Sequence, residues 1–556
     1  MAILRRAPTL LMAASVAGLL GDFACVQLLG LDDWRARPGD AGATPGEAGA
    51  GPACTSNAHC IDPRSGNWAF CVTGKCVNLD LEHCLPQVLP TSIDIANDDV
   101  ALIAAFIPLK GSSPLAAPNA LAYNLALEEL AKAGGIPGEK RRQVAMILCG
   151  SEDDLVGEAK RHVAEDLRVP AVIAGFDELG LTDWLENYAV DRQIFTLNPG
   201  VSTDALKIEN TERLLWNLLG TPEDVALAYR PLLVRTENYI RNTRPSALHD
   251  APVKVALLST DTATERSVAE VLQNGPIDHT AGEKDLGKAL EFNGRSTAEN
   301  GKNGHFLFIQ VDALEKGETP NYPGIQAQLT AFRPDVVIAL TRDEIVKIVE
   351  DYEGPNSGID PAAHPTWLLS YRNAHAQGLL AYLFTDFKQK RERFLGVQYA
   401  GASKPEQREA WLARMKAKYP DVPESSYSAV ENFYDAVYWL AYGLAAAGPG
   451  APTTGESIRE GVRTLLAGPS IYAGPVDTIT VAFYRISLEP ETTYVGALGP
   501  PDISEKFGTW NSVGGVYCYV QKDDGSIAPR YDVLRYNGST GELDGVLDCF
   551  PTNGTF

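Results

Sequence analysis

From about residue 98 onward, short unbroken apolar runs alternate with longer stretches whose apolar positions recur at helical spacing. "VALIAAFIPL" (Val100 to Leu109) is the first run, and a helical segment from about Asn119 to Ala133 follows it. "QVAMILC" (Gln143 to Cys149) precedes a mixed polar and apolar helix ending at Leu167, and "PAVIAG" and "QIFTL" repeat the theme. A long helical stretch from Pro222 to about Arg244 intervenes, and the pattern restarts. "PVKVALLST", "HFLFIQV", "PDVVIALT" and "PTWLLSY" form the second set of runs. Runs without polar alternation are strands covered on both faces, and strands separated by helices pair in parallel through βαβ crossovers. The pattern predicts two α/β lobes.

The first residues follow another pattern. Arg5 and Arg6 precede an apolar stretch from Leu10 to Leu20, then "GDFAC" ends at Cys25. This is the grammar of a secretory signal, and it is too short for a spanning helix of about 20 apolar residues. Cys25 stands where a bacterial lipoprotein carries its acylated cysteine, although Asp22 and Phe23 depart from the usual preference there. Ordinary cleavage is the alternative. "RARPGDAGATPGEAGAGPA" (Arg35 to Ala53) has the Ala, Gly and Pro content of a flexible tether.

Export changes the reading of the cysteines. Eight remain after Cys25: Cys54, Cys60, Cys71, Cys76, Cys84, Cys149, Cys518 and Cys549. An even number in an oxidising compartment implies disulfides. The first four lack the close pairs of a zinc site and the C-x-x-C of a redox site. They allow three connectivities, of which Cys54–Cys71 with Cys60–Cys76 is preferred. Cys518 pairs with Cys549 in the tail, which leaves Cys84 for Cys149. A module of this size buries little core, so bridges replace one.

Composition excludes more than it selects. The net charge of -23 argues against nucleic acid, whose phosphates need clustered Lys and Arg. No H-E-x-x-H or G-x-S-x-G is present. "GEKDLGK" (Gly282 to Lys288) has P-loop spacing, but Ala289 replaces the Ser or Thr and no apolar strand precedes it. "YRPLLVRTENYIRNTR" reads as an amphipathic packing helix. The expectation is a protein that is not an enzyme and holds no metal or cofactor.

Several segments resemble one family. "FIPLKG" is similar to the Pro-Leu-Thr/Ser-Gly turn of type I periplasmic solute-binding proteins, the leucine/isoleucine/valine-binding group. "RPDVVIALT" resembles its lobe-two strand, "ENFYDAVYWLAYGLAAAG" its Tyr-Asp-Ala helix, and "LRYNGSTGELDG" its late strand and turn. The order of these motifs, across Val100 to Gly545, carries the resemblance. It implies two Rossmann-like lobes with parallel sheets joined by a multi-crossover hinge, preceded by a small disulfide-rich module. The expected division is signal peptide 1–25, tether 26–53, Cys-rich module 54–84, lobe one 98–250, lobe two 251–394, a return to lobe one over 395–470, and completion of lobe two with the disulfide-closed tail over 471–556. The module lies outside the family pattern and is similar to those of myxobacterial surface lipoproteins.

The resemblance also implies a function. A small polar, amino-acid-like ligand is held between the lobes and delivered to an ABC permease, by a protein of the periplasm or cell envelope anchored through Cys25. The alternative is a ligand-sensing or surface-interaction lipoprotein using the same body without transport. In open α/β sheets ligands sit beyond the carboxyl ends of the strands. That rule nominates Lys110, Gly111, Phe176, Asp177, Asn198, Ser202 and Thr203 from lobe one. From lobe two it nominates Thr260, Asp261, Thr341 and Tyr371. Helix capping is the competing role for each Asn, Ser, Thr or Asp. The family's lobe-one Ser and Thr are replaced by "GFDELG", and its lobe-two Tyr-Gly turn by "STDTATERS". Asp177 would repel a carboxylate, which argues against a branched-chain amino acid.

Overall fold

A computed structural model describes residues 52–61, 68–79, 83–109, 116–151, 156–176, 178–200, 213–275, 289–314, 318–355, 357–374, 376–400, 405–422, 430–500, 503–504, 508–510, 513–522, 525–537, 540–547 and 549. The segment from residue 1 to 51, with Cys25 and all of the tether but Pro52 and Ala53, lies outside the described residues, as does "GEKDLGK".

The described chain opens on a hairpin of Ala69–Val72 (β1) and Lys75–Asn78 (β2), turned by Thr73 and Gly74. Their φ values of 49° and 81° suit the mirror-image turn whose twist matches that of the strands. Disulfides join Cys54 to Cys71 and Cys60 to Cys76 across it. Asn57 ties the module to the body: its backbone N–H donates to Asp98 at 2.6 Å and its Nδ2 to the Asn97 carbonyl at 3.2 Å. Its Oδ1 accepts the Cys71 N–H at 3.0 Å.

Cys84–Leu89 (β3) then runs antiparallel to Gln143–Gly150 (β5), and Cys84 is bridged to Cys149. The sequence reading ended the module at residue 84 and began the lobe at 98. The strand instead forms the outer edge of the lobe's own sheet, where Pro86 is tolerated because an edge strand needs fewer ladder donors.

Val100–Ile107 (β4), Ala171–Ile173 (β6), Phe195–Asn198 (β7) and Leu215–Asn217 (β8) complete the first parallel set with β5. The second set follows helix Pro222–Thr243: Val255–Thr260 (β9), the short pair Glu291–Phe292 (β10) and Arg295–Ser296 (β11), Phe306–Val311 (β12), Val336–Leu340 (β13), Thr366–Leu369 (β14) and Phe394–Ala400 (β15). Ser470–Tyr472 (β16) and Thr493–Val495 (β17) pair with each other. Ile503–Ser504 (β18) and Thr509–Trp510 (β19) join the first sheet beside β8. Val513–Gln521 (β20), Ile527–Asn537 (β21) and Glu542–Gly545 (β22) extend the second as an antiparallel meander from β15. Cys518 is bridged to Cys549 within it.

Two eight-stranded sheets result, ordered β18-β19-β8-β7-β6-β4-β5-β3 and β12-β9-β13-β14-β15-β20-β21-β22. The first compact unit takes its described residues from Met1–Val201, Glu209–Leu218 and Ser403–Thr509, and the second from Leu219–Ala402 and Trp510–Phe556. The sequence reading drew its boundaries at 250, 394 and 470. Helix Pro222–Thr243 accounts for the first difference: Val225, Ala228, Tyr229, Leu232 and Leu233 pack into the core of the second unit. The helix is amphipathic, as its pattern indicated, but periodicity does not say which core an apolar stripe enters.

In the first unit, helix Ala116–Lys132 packs between the sheet and helix Glu431–Ala446. The latter is buried from Glu431 to Leu444, which is why apolar and aromatic residues cover all its faces. Among the described residues no helix is long and apolar enough to cross a membrane.

Candidate functional site

Sheet order locates the crevices. β9 lies between β12, which follows it, and β13, which returns to its other side. The switch point of the second sheet is therefore at the carboxyl ends of β9 and β13, at Thr260 and Thr341. In the first sheet β4 lies between β5 and β6, so the switch point falls after Ile107 and Ile173. Lys110, Gly111 and Asp177 come directly after these ends in sequence and lie outside the described residues, as do Ser202 and Thr203.

At the second switch point, Thr260 is buried and its hydroxyl lies 3.1 Å from that of Thr262 and 3.5 Å from the Leu340 carbonyl. Thr262 precedes helix Ala263–Asn274 and donates to Glu265. Glu265 is 3 % exposed, and its partner across the crevice is the Arg372 Nε at 3.0 Å. The contact with Glu265 is an ion pair, and the Nε–H itself donates to the Tyr371 hydroxyl at 3.1 Å. Tyr371 meets the ring of Tyr399 edge-on, centroids 5.2 Å apart. Burial raises the Tyr371 phenol, and the Arg372 charge opposes that shift.

Between these two loops, the Thr341 carbonyl accepts from Ser370 Oγ at 2.9 Å and from Asn373 Nδ2 at 2.8 Å. The Ser370 carbonyl in turn accepts the Tyr517 hydroxyl at 2.7 Å. Asp261 sits half-buried beside Thr260 on the same turn. Four of the nominated positions, Thr260, Asp261, Thr341 and Tyr371, thus cluster at one mouth. Thr260 and Thr341 are engaged in holding it together. The charged pair Glu265 and Arg372 escaped the sequence reading. Its signal was present in "TATER" and "SYRN", each a charge within a turn of a strand end.

The first switch point is floored by aromatic rings. Phe106 and Phe176 lie 4.4 Å apart, with Trp184 5.7 Å from Phe106. A Cβ on Gly175 would come within 2.0 Å of the Phe106 carbonyl oxygen, so only glycine permits this approach. Beneath Phe176 lies the Lys160 ammonium, 1 % exposed and 4.5 Å from the ring centre. It donates to the Gly180 carbonyl at 2.8 Å and to Asp183 at 2.6 Å, which anchors helix Glu178–Trp184.

Asn198 ends β7 fully buried. Its Nδ2 donates to Asn217 Oδ1 at 2.7 Å, and its Oδ1 accepts the Gly200 N–H at 3.2 Å. Its geometry is that of a turn-forming residue. Among the described residues the one metal-like cluster is Cys54, Cys60 and Cys76, whose sulfurs are engaged in disulfides. The second mouth offers hydroxyls, amides, aromatic faces and charge, and the described part of the first offers aromatic faces, the Asn198 amide and the paired Lys160.

This is the fold of type I periplasmic binding proteins: mixed α/β units with parallel sheets, here carrying a disulfide-rich N-terminal region. Solved structures show the same chain path. A putative branched-chain amino acid ABC transporter protein from Silicibacter pomeroyi is 12% identical, with a TM-score of 0.53, over 81% of this chain and 99% of its own. The branched-chain amino acid transporter substrate-binding protein LivJ from Streptococcus pneumoniae, solved with isoleucine, is 14% identical, with a TM-score of 0.50 over 78% and 99%. No protein-family model and no curated protein sequence matches the chain.

Proposed function

We propose that this chain is an extracytoplasmic solute-binding protein that takes a small polar solute at the carboxyl ends of its parallel strands. It serves an ABC-type importer from the outer face of a membrane, held there through Cys25. The observation that carries the reading is the mouth at the second switch point. There Thr260, Glu265, Thr341, Tyr371 and Arg372 gather from three strand ends where this fold class binds ligands. A structural staple would not need a buried carboxylate and a guanidinium at that place. The export signal and paired cysteines support the compartment.

The test is a solute screen by thermal shift on the chain beginning at residue 26. A saturable rise in melting temperature, lost on Arg372→Met, is expected. A screen of several hundred transportable metabolites without any saturable rise would remove the reading. Labelling with a radioactive fatty acid in a bacterial host, with and without Cys25→Ser, separately tests the anchor.

A further inference from the structure

Helix Val476–Leu488 belongs to the first unit and joins β16 to β17. Its inner face, Ile479, Ala482, Phe483 and Ile486, is buried in that unit's core, against helices Glu431–Ala446 and Ala116–Lys132. Its outer face is apolar as well. Val481 is 60 % exposed, Tyr484 66 % and Leu488 63 %. Spaced by three and four residues, they form one ridge. Helix Gly455–Arg463 of the same unit instead turns Glu456 and Glu460 to solvent, both paired with Arg459. A helix that is apolar on opposite faces belongs between two surfaces. Scattered exposed apolar residues need no explanation, but three on one ridge mark a contact.

The charges along the ridge select what covers it. Asp477 stands at its start, Arg485 beside Tyr484, and Glu489 directly after Leu488, all exposed. Arg485 is held at its side by a hydrogen bond from Nη1 to the Ser470 carbonyl at 3.1 Å. An anionic membrane is a poor match, because Arg485 is the one cation of residues 475–491, against Asp477, Glu489 and Glu491, on a chain of net charge -23. A second copy of the same ridge is a good one. Two ridges laid antiparallel, with a two-fold axis at the level of Ile486 and Ser487, bring Tyr484 onto Leu488 of the second copy. The same register brings Arg485 to Glu489 and Val481 to Pro490 of that copy, and symmetry makes each pair twice. The three apolar side chains expose on the order of 300 Å² per copy, below the roughly 800 Å² per partner of a standard stable interface. Such a contact associates reversibly.

We propose that this chain self-associates through helix Val476–Leu488, as a two-fold antiparallel dimer in which Tyr484 packs on Leu488 and Arg485 pairs with Glu489 of the second copy. The inference stands independently of the solute-binding reading.

The experiment is sedimentation velocity of the chain from residue 26, from about 1 µM to about 1 mM. The parent's mass should rise with concentration toward that of a dimer. Tyr484→Ser and Leu488→Ser should each weaken association ten-fold or more. Arg485→Glu and Glu489→Arg should each weaken it too, because each alone sets like charges opposite one another. An equimolar mixture of these two charge variants, and the double variant carrying both changes, should associate as the parent does, which also shows that they fold. A parent that stays monomeric throughout, whether or not it binds vesicles or an importer, overturns the proposal. So does association untouched by the Tyr484 and Leu488 variants, or a mixture in which the two charge variants fail to associate.

Discussion

The Asp435 carboxylate accepts the Tyr494 hydroxyl at 3.0 Å in the fully buried core of the first unit. It also accepts the N–H groups of Ala497 at 2.8 Å and Leu498 at 2.9 Å. One acid from helix Glu431–Ala446 thereby holds the turn after β17, upstream of the place where the chain leaves the first unit at residue 509.

Burial pushes the Asp435 carboxyl up to about 7 against those three donors, and Glu431 one turn earlier pushes the same way. The folded value lies above the unfolded one of about 3.9, so unfolding releases a proton between these limits. The associated stabilisation is complete below about pH 4 and is lost as pH rises through about 7. Relative to Asp435→Asn, the parent should lose stability on the order of 1 kcal/mol per pH unit across that window. Chemical denaturation at pH 5, 6 and 7 checks it; a difference that grows in the parent's favour with pH would contradict the assignment.

Glu265 and Arg372 should be coupled. Removing the guanidinium leaves a buried carboxylate without its counter-charge, which destabilises far more than the pair itself stabilises. A double-mutant cycle with Glu265→Gln and Arg372→Met should give an interaction of about 1–3 kcal/mol. A value near zero would mean the two side chains do not meet.

Asn198→Ala should act on the fold before it acts on any ligand. The substitution removes the buried donor to Asn217 Oδ1 and the acceptor for the Gly200 N–H. A loss of roughly 1–3 kcal/mol of unfolding free energy is expected. If urea melts of parent and variant superimpose, the residue is not holding the turn.

The chain from residue 26 should show no reactive thiol under denaturing, non-reducing conditions, because all eight of its cysteines are bridged. Replacing Cys84 and Cys149 together by Ser should cost about 2–4 kcal/mol. Two or more reactive thiols per parent chain would contradict the pairing.

Truncation should separate the module from the lobe at a defined place. A chain beginning at Glu82 keeps β3 and the bridge to Cys149, and it should still melt cooperatively, at a lower temperature because the Asn57 contacts are gone. One beginning at Pro90 exposes the edge of β5 and frees Cys149, and it should aggregate or lose its cooperative transition. Equal melting of both chains would show that β3 is dispensable.

Legibility followed physics. Strands such as Val100–Ile107 and Val336–Leu340 were read from sequence because burial on both faces leaves an unbroken apolar run. The disulfide partners were read from parity and proximity in sequence. Strand Leu215–Asn217 gave too short a run to register, and Cys84–Leu89 looked like part of the module because pairing with β5 is a long-range event.

At the mouths, a polar residue after a strand is visible in the sequence, but its partner is not. Thr260 and Thr341 stood out by position, whereas the ion pair of Glu265 with Arg372 joins residues on separate crossovers. Asn119 and Tyr123 look like ordinary polar breaks in an apolar helix until the packing of helix Glu431–Ala446 closes over them. Local pattern determines which segments become strands and helices, because burial and hydrogen bonding act along the chain at fixed periods. Which charges meet, and which buried groups go unpaired, only the tertiary structure decides, because those depend on distances between segments that the sequence does not encode locally.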